Sequence, residues 1–187
     1  GLVTGWRIAE DQYRIRLNTP SVMELKKQLD VDGRTYQCSY IELGRPGIPH
    51  LALELPALAK QDEDALRRLG RALRYHPALP KGANVNFYEL TGPDAVLEKT
   101  YERGVEDFTL ACGTGTGAVV TVLTLLGKVS GRNVRVRMDG GELAVDAEAH
   151  DGRIENLYLT GPAALVCAGE ILDKTILDLI KKQEEKA

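Results

Sequence analysis

Aromatic residues are scarce, at 5% of the 187 positions, and neither sign of charge dominates: 24 Lys and Arg against 27 Asp and Glu leave a formal net charge of −3. The basic residues are scattered along the chain. Without a basic face or a set of stacking platforms, nucleic acid is excluded as an expected partner and a small molecule is the better expectation. Cysteine is also rare. Cys38, Cys112 and Cys167 are odd in number, far apart and without CxxC spacing, which argues against a disulfide framework and against a zinc site, so no metal is expected. The longest apolar stretch is too short and too interrupted by threonine to span a bilayer, and no signal-peptide pattern opens the chain, which gives a cytoplasmic expectation and no membrane partner. Low-complexity tracts and fixed-period repeats are absent. What is present, 43% hydrophobic and 27% charged residues, is the composition of a soluble globular protein.

Period-two alternation of β-branched and aromatic residues predicts strands over 6–17 and 34–43, with Asp32-Gly33 as turn chemistry. Leu58, Ala65, Leu66, Leu69, Ala72 and Leu73 recur at helical spacing and predict an amphipathic surface helix over 57–75, closed off by Pro77 and Pro80. A second strand pair is expected at 84–90 and 95–101 around Thr91-Gly92-Pro93-Asp94. Further strands are expected at 133–138, 142–147, 153–159 and 164–172, then an amphipathic helix over 173–182 and a charged tail.

The most informative stretch is Ala111-Cys-Gly-Thr-Gly-Thr-Gly-Ala118, which runs into Val119-Val-Thr-Val-Leu-Thr-Leu-Leu126. A helix over about 112–127 with almost no polar face must be enclosed, and flanking strands predict an α+β fold in which a curved, mainly antiparallel sheet (a barrel) wraps around a central helix. Cys112 would then sit at the helix N-terminus, where unpaired N–H groups and the dipole should lower its pKa. The N–H groups of Gly113 and Thr114 could cradle a carboxylate. The three glycines read as close approach of a ligand to the backbone. A competing dinucleotide fingerprint, Gly113-x-Gly115-x-x-Ala118 with Asp139 as ribose acid, is disfavoured because Asp139-Gly140-Gly141 turns one strand into the next as in an antiparallel hairpin.

The segment Tyr101-Glu-Arg-Gly-Val-Glu-Asp-Phe-Thr-Leu-Ala-Cys-Gly-Thr-Gly-Thr-Gly-Ala118 resembles the second catalytic-cysteine motif of the diaminopimelate epimerase family. Gly47-Ile-Pro-His50, Gly82-Ala-Asn-Val-Asn-Phe87, Gly161-Pro-Ala163 and Gly169-Glu170 resemble further family stretches, in the same order. The resemblance implies a cofactor-independent epimerase of two similar halves, each a β-barrel around a central helix and each supplying one cysteine to a cleft between them. One thiolate removes the α-proton while an opposed thiol delivers another. It also implies roles: Cys112 as one acid/base thiol, His50 and Glu102 tuning the cysteine pair, and Asn84, Glu102, Arg103, Gly113 and Thr114 binding substrate.

Two departures and one gap qualify the match. Ile48 replaces the family's asparagine before Pro-His, and the spacing from Arg103 to Cys112 is one residue longer than the commonest version. Both keep open a related amino-acid racemase of proline or histidine type. A noncatalytic amino-acid-binding module is the rival from another class. The family's first cysteine turn, Cys-Gly-Asn-Gly, does not occur here, and Cys38 and Cys167 read as packed cysteines. Together with Gly1 as first residue, this gives the expectation of a C-terminal portion, inactive alone: remainder of the N-terminal half at 1–43, a C-terminal barrel domain at 44–172, and a helix and tail at 173–187. The missing N-terminal half would carry the second cysteine, and a homodimer is a further expected partner state.

Overall fold

The computed structural model describes residues 3–170 and 172–178. A short hairpin, β1 (Gly5–Ala9) and β2 (Gln12–Leu17), is followed by a longer one, β3 (Pro20–Val31) and β4 (Arg34–Leu43). Asp32 and Gly33 both take positive φ at the tip of the second hairpin, 50° and 75°, as a tight turn matched to strand twist requires. Strand β5 (Ile48–Glu54) leads through a 3-10 turn, Leu58–Lys60, into helix α1 (Glu63–Arg74). Then come β6 (Asn84–Gly92), β7 (Ala95–Tyr101), the two-residue β8 (Phe108–Thr109), helix α2 (Gly113–Leu125), β9 (Val134–Met138), β10 (Gly141–His150) and β11 (Arg153–Pro162).

All eleven strands join one sheet in the order β1-β2-β11-β10-β9-β7-β6-β5-β4-β3, with β8 on β7. The sheet is curved but not closed, so the expected barrel is open: β1 and β3 are its two ends. It is also mixed. The pairs β5–β6 and β7–β9 are parallel, and they are joined through α1 and α2 respectively because parallel neighbours need a long crossover. The pairing of β9 with β10 is antiparallel, as the Asp139-Gly140-Gly141 turn predicts. Between β2, paired to β11, and β3, paired to β4, only Asn18 and Thr19 intervene. One stretch of chain therefore swings from one arm of the sheet to the other, and the Gly44 N–H donates to the Thr19 carbonyl at 3.1 Å.

The concave face encloses α2, whose residues 115–123 are all buried. Val119, Val120, Val122 and Leu123 meet Ile41, Leu43, Ala52, Val96, Val136, Val145 and Leu157 in one core. On the opposite face, Leu66 and Leu73 of α1 pack with Leu51, Leu53, Val85, Phe87 and Leu97 in a second core. Strand alternation thus serves two hydrophobic layers. No helix of the described residues is long and apolar enough to cross a membrane.

Two expectations change. The helix placed over 57–75 breaks at Asp62, whose side chain accepts the Ala65 N–H at 2.8 Å and caps a separate helix. Residues 164–170 form no strand, and Leu165 and Val166 stand 90% and 91% exposed. Beyond Pro162 the backbone finds no partner strand, since β11 is already flanked by β2 and β10. Of the helix expected over 173–182, residues 174–178 are helical and 179–182 lie outside the described residues.

Candidate active site at the start of the enclosed helix

Cys112 is the N-cap of α2, with extended backbone (φ −132°, ψ 98°) and 8% of its surface exposed. The N–H groups of Gly113, Thr114 and Gly115 open the helix and have no carbonyl four residues back to receive them. The glycines have packing reasons of their own, contrary to the reading that only a ligand would call for them. A Cβ on Gly115 would lie 2.3 Å from Asn86 Oδ1, and one on Gly117 would lie 2.6 Å from Leu17 Cδ1. Small residues let the helix end settle against β6 and β2.

The Cys112 thiol has its pKa raised, not lowered as expected. Burial is the largest cause, and the charges of Glu102 and Glu98 add to it, while the Gly115 N–H and the Thr114 hydroxyl, 3.8 Å from the sulfur, work the other way. Desolvation of the thiolate outweighs the helix terminus. At rest Cys112 is a neutral thiol.

The parallel register of β5 and β6 sets His50 beside Asn84. Asn84 ties two segments together: its Oδ1 accepts the Arg103 N–H at 2.8 Å and its Nδ2 donates to the Pro49 carbonyl at 3.3 Å. Arg103 also donates from Nη1 to the Lys81 carbonyl at 3.1 Å. Glu102 and Arg103 open a tight loop after β7, closed by Glu102 N–H to Asp107 carbonyl (3.0 Å) and Glu106 N–H to Glu102 carbonyl (2.8 Å). The Tyr101 hydroxyl donates to the Glu106 carbonyl at 2.7 Å, and Arg74 pairs with Glu106 at 3.1 Å. The loop is thus fastened to α1.

His50 is fully buried in β5. Burial first, and the Arg103 charge second, push its pKa down to about 3, so the ring is neutral. Its Nδ1 lies 3.4 Å from Asn86 Nδ2, and its Nε2 has no partner among the described residues.

Sequence reasoning missed the polar layer beneath Cys112. Glu98, Thr100, Asn86 and Thr116 are all buried under the helix start. Thr116 Oγ1 is 2.8 Å from Glu98 Oε2 and 3.1 Å from the Cys112 carbonyl, and Thr100 donates to Asn86 Oδ1 at 3.0 Å. The available signal was period-two spacing: Val96, Glu98 and Thr100 share one face of β7, so an inward Val implies an inward Glu.

The other thiols lie elsewhere. Cys38 is buried on the α1 side with burial pushing its pKa up to about 11. Cys167 is exposed, not packed as expected, because the strand meant to bury it does not form. Asp139 pairs with Lys99 at 2.8 Å, in the turn between the antiparallel strands β9 and β10. A cavity of about 160 Å³ lined by Lys26, Cys38, Glu54, Tyr88 and Lys128 lies at the C-terminal end of α2, away from Cys112.

A curved sheet around an enclosed helix is a fold shared with solved proteins. A probable proline racemase from Agrobacterium radiobacter K84 aligns with TM-score 0.68 and 21% identity over 92% of this chain and 58% of its own. A hydroxyproline epimerase from Agrobacterium vitis aligns with TM-score 0.63 and 22% identity over 87% and 54%. The diaminopimelate epimerase family matches residues 45–166. The diaminopimelate epimerase of Chlorobaculum tepidum is 38% identical over 162 residues, 87% of this chain and 59% of the relative, and that of Alkaliphilus metalliredigens is 33% identical over 166 residues, 89% and 54%. The chain belongs to the diaminopimelate epimerase family. It spans somewhat more than half the length of these curated relatives.

Proposed function

We infer that the chain is the C-terminal portion of a cofactor-independent, cytoplasmic diaminopimelate epimerase of lysine biosynthesis. It supplies Cys112 as one of two acid/base thiols, and the second comes from residues outside this chain. What supports the reading is that Cys112, at the start of the enclosed helix, feels the charge of Glu102, and that the neighbouring Arg103 N–H is bonded to Asn84, in a chain of this family. On this reading, residues 1–43 are the remainder of the N-terminal half and 44–172 the C-terminal domain, and this portion alone does not turn over.

The chemistry follows from the protonation states. One thiolate takes the Cα proton, the electron pair left on carbon spreads into the α-carboxylate, and the opposed thiol gives its proton to the other face. No proton is consumed, and the two sulfurs exchange protonation states. Burial keeps resting Cys112 in the thiol form, so it is the proton donor in the direction that starts from this state. The Gly113 and Thr114 N–H groups receive the negative charge growing on the carboxylate. Arg103 pairs with a charged end of the substrate and Asn84 holds the loop that carries it. Neutral His50 and partly buried Glu102 set the polarity around the thiol pair.

A second reading, a racemase of a smaller amino acid, is favoured by one feature: Ile48, 40% exposed, stands two residues from His50 where the family has asparagine. The test is Cα deuterium incorporation by the full-length protein with LL- or meso-diaminopimelate, proline and histidine. Exchange with diaminopimelate that is abolished in Cys112→Ala supports the first reading. Exchange with proline alone supports the second, and exchange undiminished by the substitution removes Cys112 from the mechanism.

A further inference from the structure

Glu98 is a fully buried carboxyl group in the middle of an apolar sheet, and an ionised carboxylate there requires donors. Its neighbours do not supply them. Among the described residues no Lys, Arg or backbone N–H bonds to it; its partners are the hydroxyls of Thr116 (2.8 Å) and Thr100 (3.4 Å). Each hydroxyl has one proton. The Thr100 proton is taken by Asn86 Oδ1 at 3.0 Å, which can only accept, because Asn86 Nδ2 faces the Leu51 carbonyl at 3.2 Å. The Thr116 hydroxyl sits 3.1 Å from the Cys112 carbonyl, an acceptor without a proton of its own that takes the Thr116 N–H at 2.9 Å and has a second lone pair for the hydroxyl. If Thr116 serves that carbonyl, only a proton on Glu98 makes the 2.8 Å contact a hydrogen bond.

We propose that Glu98 is a positioning residue held as a neutral carboxylic acid, whose proton completes a chain from Glu98 Oε2 through Thr116 Oγ1 to the Cys112 carbonyl and so fixes the helix turn that carries the thiol. The burial that drives this geometry also pushes its pKa up to about 8. The titratable groups facing it are Cys112 on α2, whose thiol feels its charge, and His50 on β5, behind Asn86; Glu102, after β7, acts on the same thiol. Met138 Sδ of β9 completes the pocket, 3.4 Å from Thr116 Oγ1. Ionisation of Glu98 therefore does two things together: it breaks the chain to the helix start and places a negative charge beside the sulfur.

The proposal rests on the proposed function only in taking Cys112 as the reacting atom, and its test does not require turnover. In the full-length protein labelled with carboxyl-¹³C glutamate, the infrared difference between wild type and Glu98→Gln near neutral pH should contain the C=O stretch of one protonated carboxylic acid. The rate of alkylation of Cys112, followed on its peptide by mass spectrometry, should match between the two proteins in neutral buffer. Above about pH 8 the wild type should lag by about threefold as Glu98 ionises and holds back the thiolate. Glu98→Leu should alter the rate throughout, and the isosteric Gln should restore it. Absence of the protonated band in the wild type overturns the proposal even if the Gln variant does not fold, and so do identical alkylation profiles across pH. Failure of Cα exchange with these results intact would instead reject the epimerase reading alone.

Discussion

Replacing Gly115 by alanine pits helix propensity against packing, and the structure decides the sign. In an exposed helix interior the change gains about 1 kcal/mol. Here the new methyl would lie 2.3 Å from Asn86 Oδ1 and 3.2 Å from the Cys112 sulfur. Asn86 cannot swing aside freely, because its Nδ2 donates to the Leu51 carbonyl at 3.2 Å while its Oδ1 receives Thr100 at 3.0 Å. Overpacking costs about 1–3 kcal/mol and a displaced buried hydrogen bond about 1 kcal/mol more. The net expectation is a loss of about 2 kcal/mol, or a Tm about 4–8 °C lower for a chain of this size. Gly117→Ala should lose less, since its methyl meets the end of the Leu17 side chain at 2.6 Å. Thermal unfolding by circular dichroism reads both. A Gly115→Ala protein as stable as wild type or more so would refute the close fit of the helix start to β6.

Three further outcomes follow from the same contacts. Leu123→Ala, at a fully buried position facing the concave sheet, should cost about 2–5 kcal/mol in urea unfolding with little change in m-value. Asp62→Ala should cost about 1 kcal/mol by removing the cap on Ala65, leaving α2 and Cys112 alkylation undisturbed. His50 titrates near 6.5 when unfolded but is pushed down to about 3 when folded, so its contribution to stability is present above about pH 6.5 and is lost as pH falls toward 3. His50→Gln should flatten the stability profile in that window, and an unchanged acid limb would contradict a buried neutral ring.

Local periodicity carried most of the element assignments because it reports which face of a segment is buried. The β4 boundaries, the β6–β7 hairpin and the enclosed α2 all follow from spacing alone. Where it failed, the deciding partner was distant in sequence. Residues 164–170 open on an apolar run that reads as a strand, yet both sides of the preceding β11 are already taken by β2 and β10. The two parallel pairs were illegible for a related reason: alternation looks the same whichever way the neighbouring strand runs, and only the crossover through a helix fixes direction.

At the site the division is similar. The sequence alone determined that a thiol begins an apolar helix and that the helix must be enclosed. Tertiary structure decided the electrostatics. A helix N-terminus favours a thiolate, yet the enclosing sheet strips water from Cys112, so the sulfur is held as a thiol. The glycines that read as room for a ligand are also room for Asn86 and Leu17. Desolvation and close packing depend on what the rest of the chain brings near, and no local pattern encodes that.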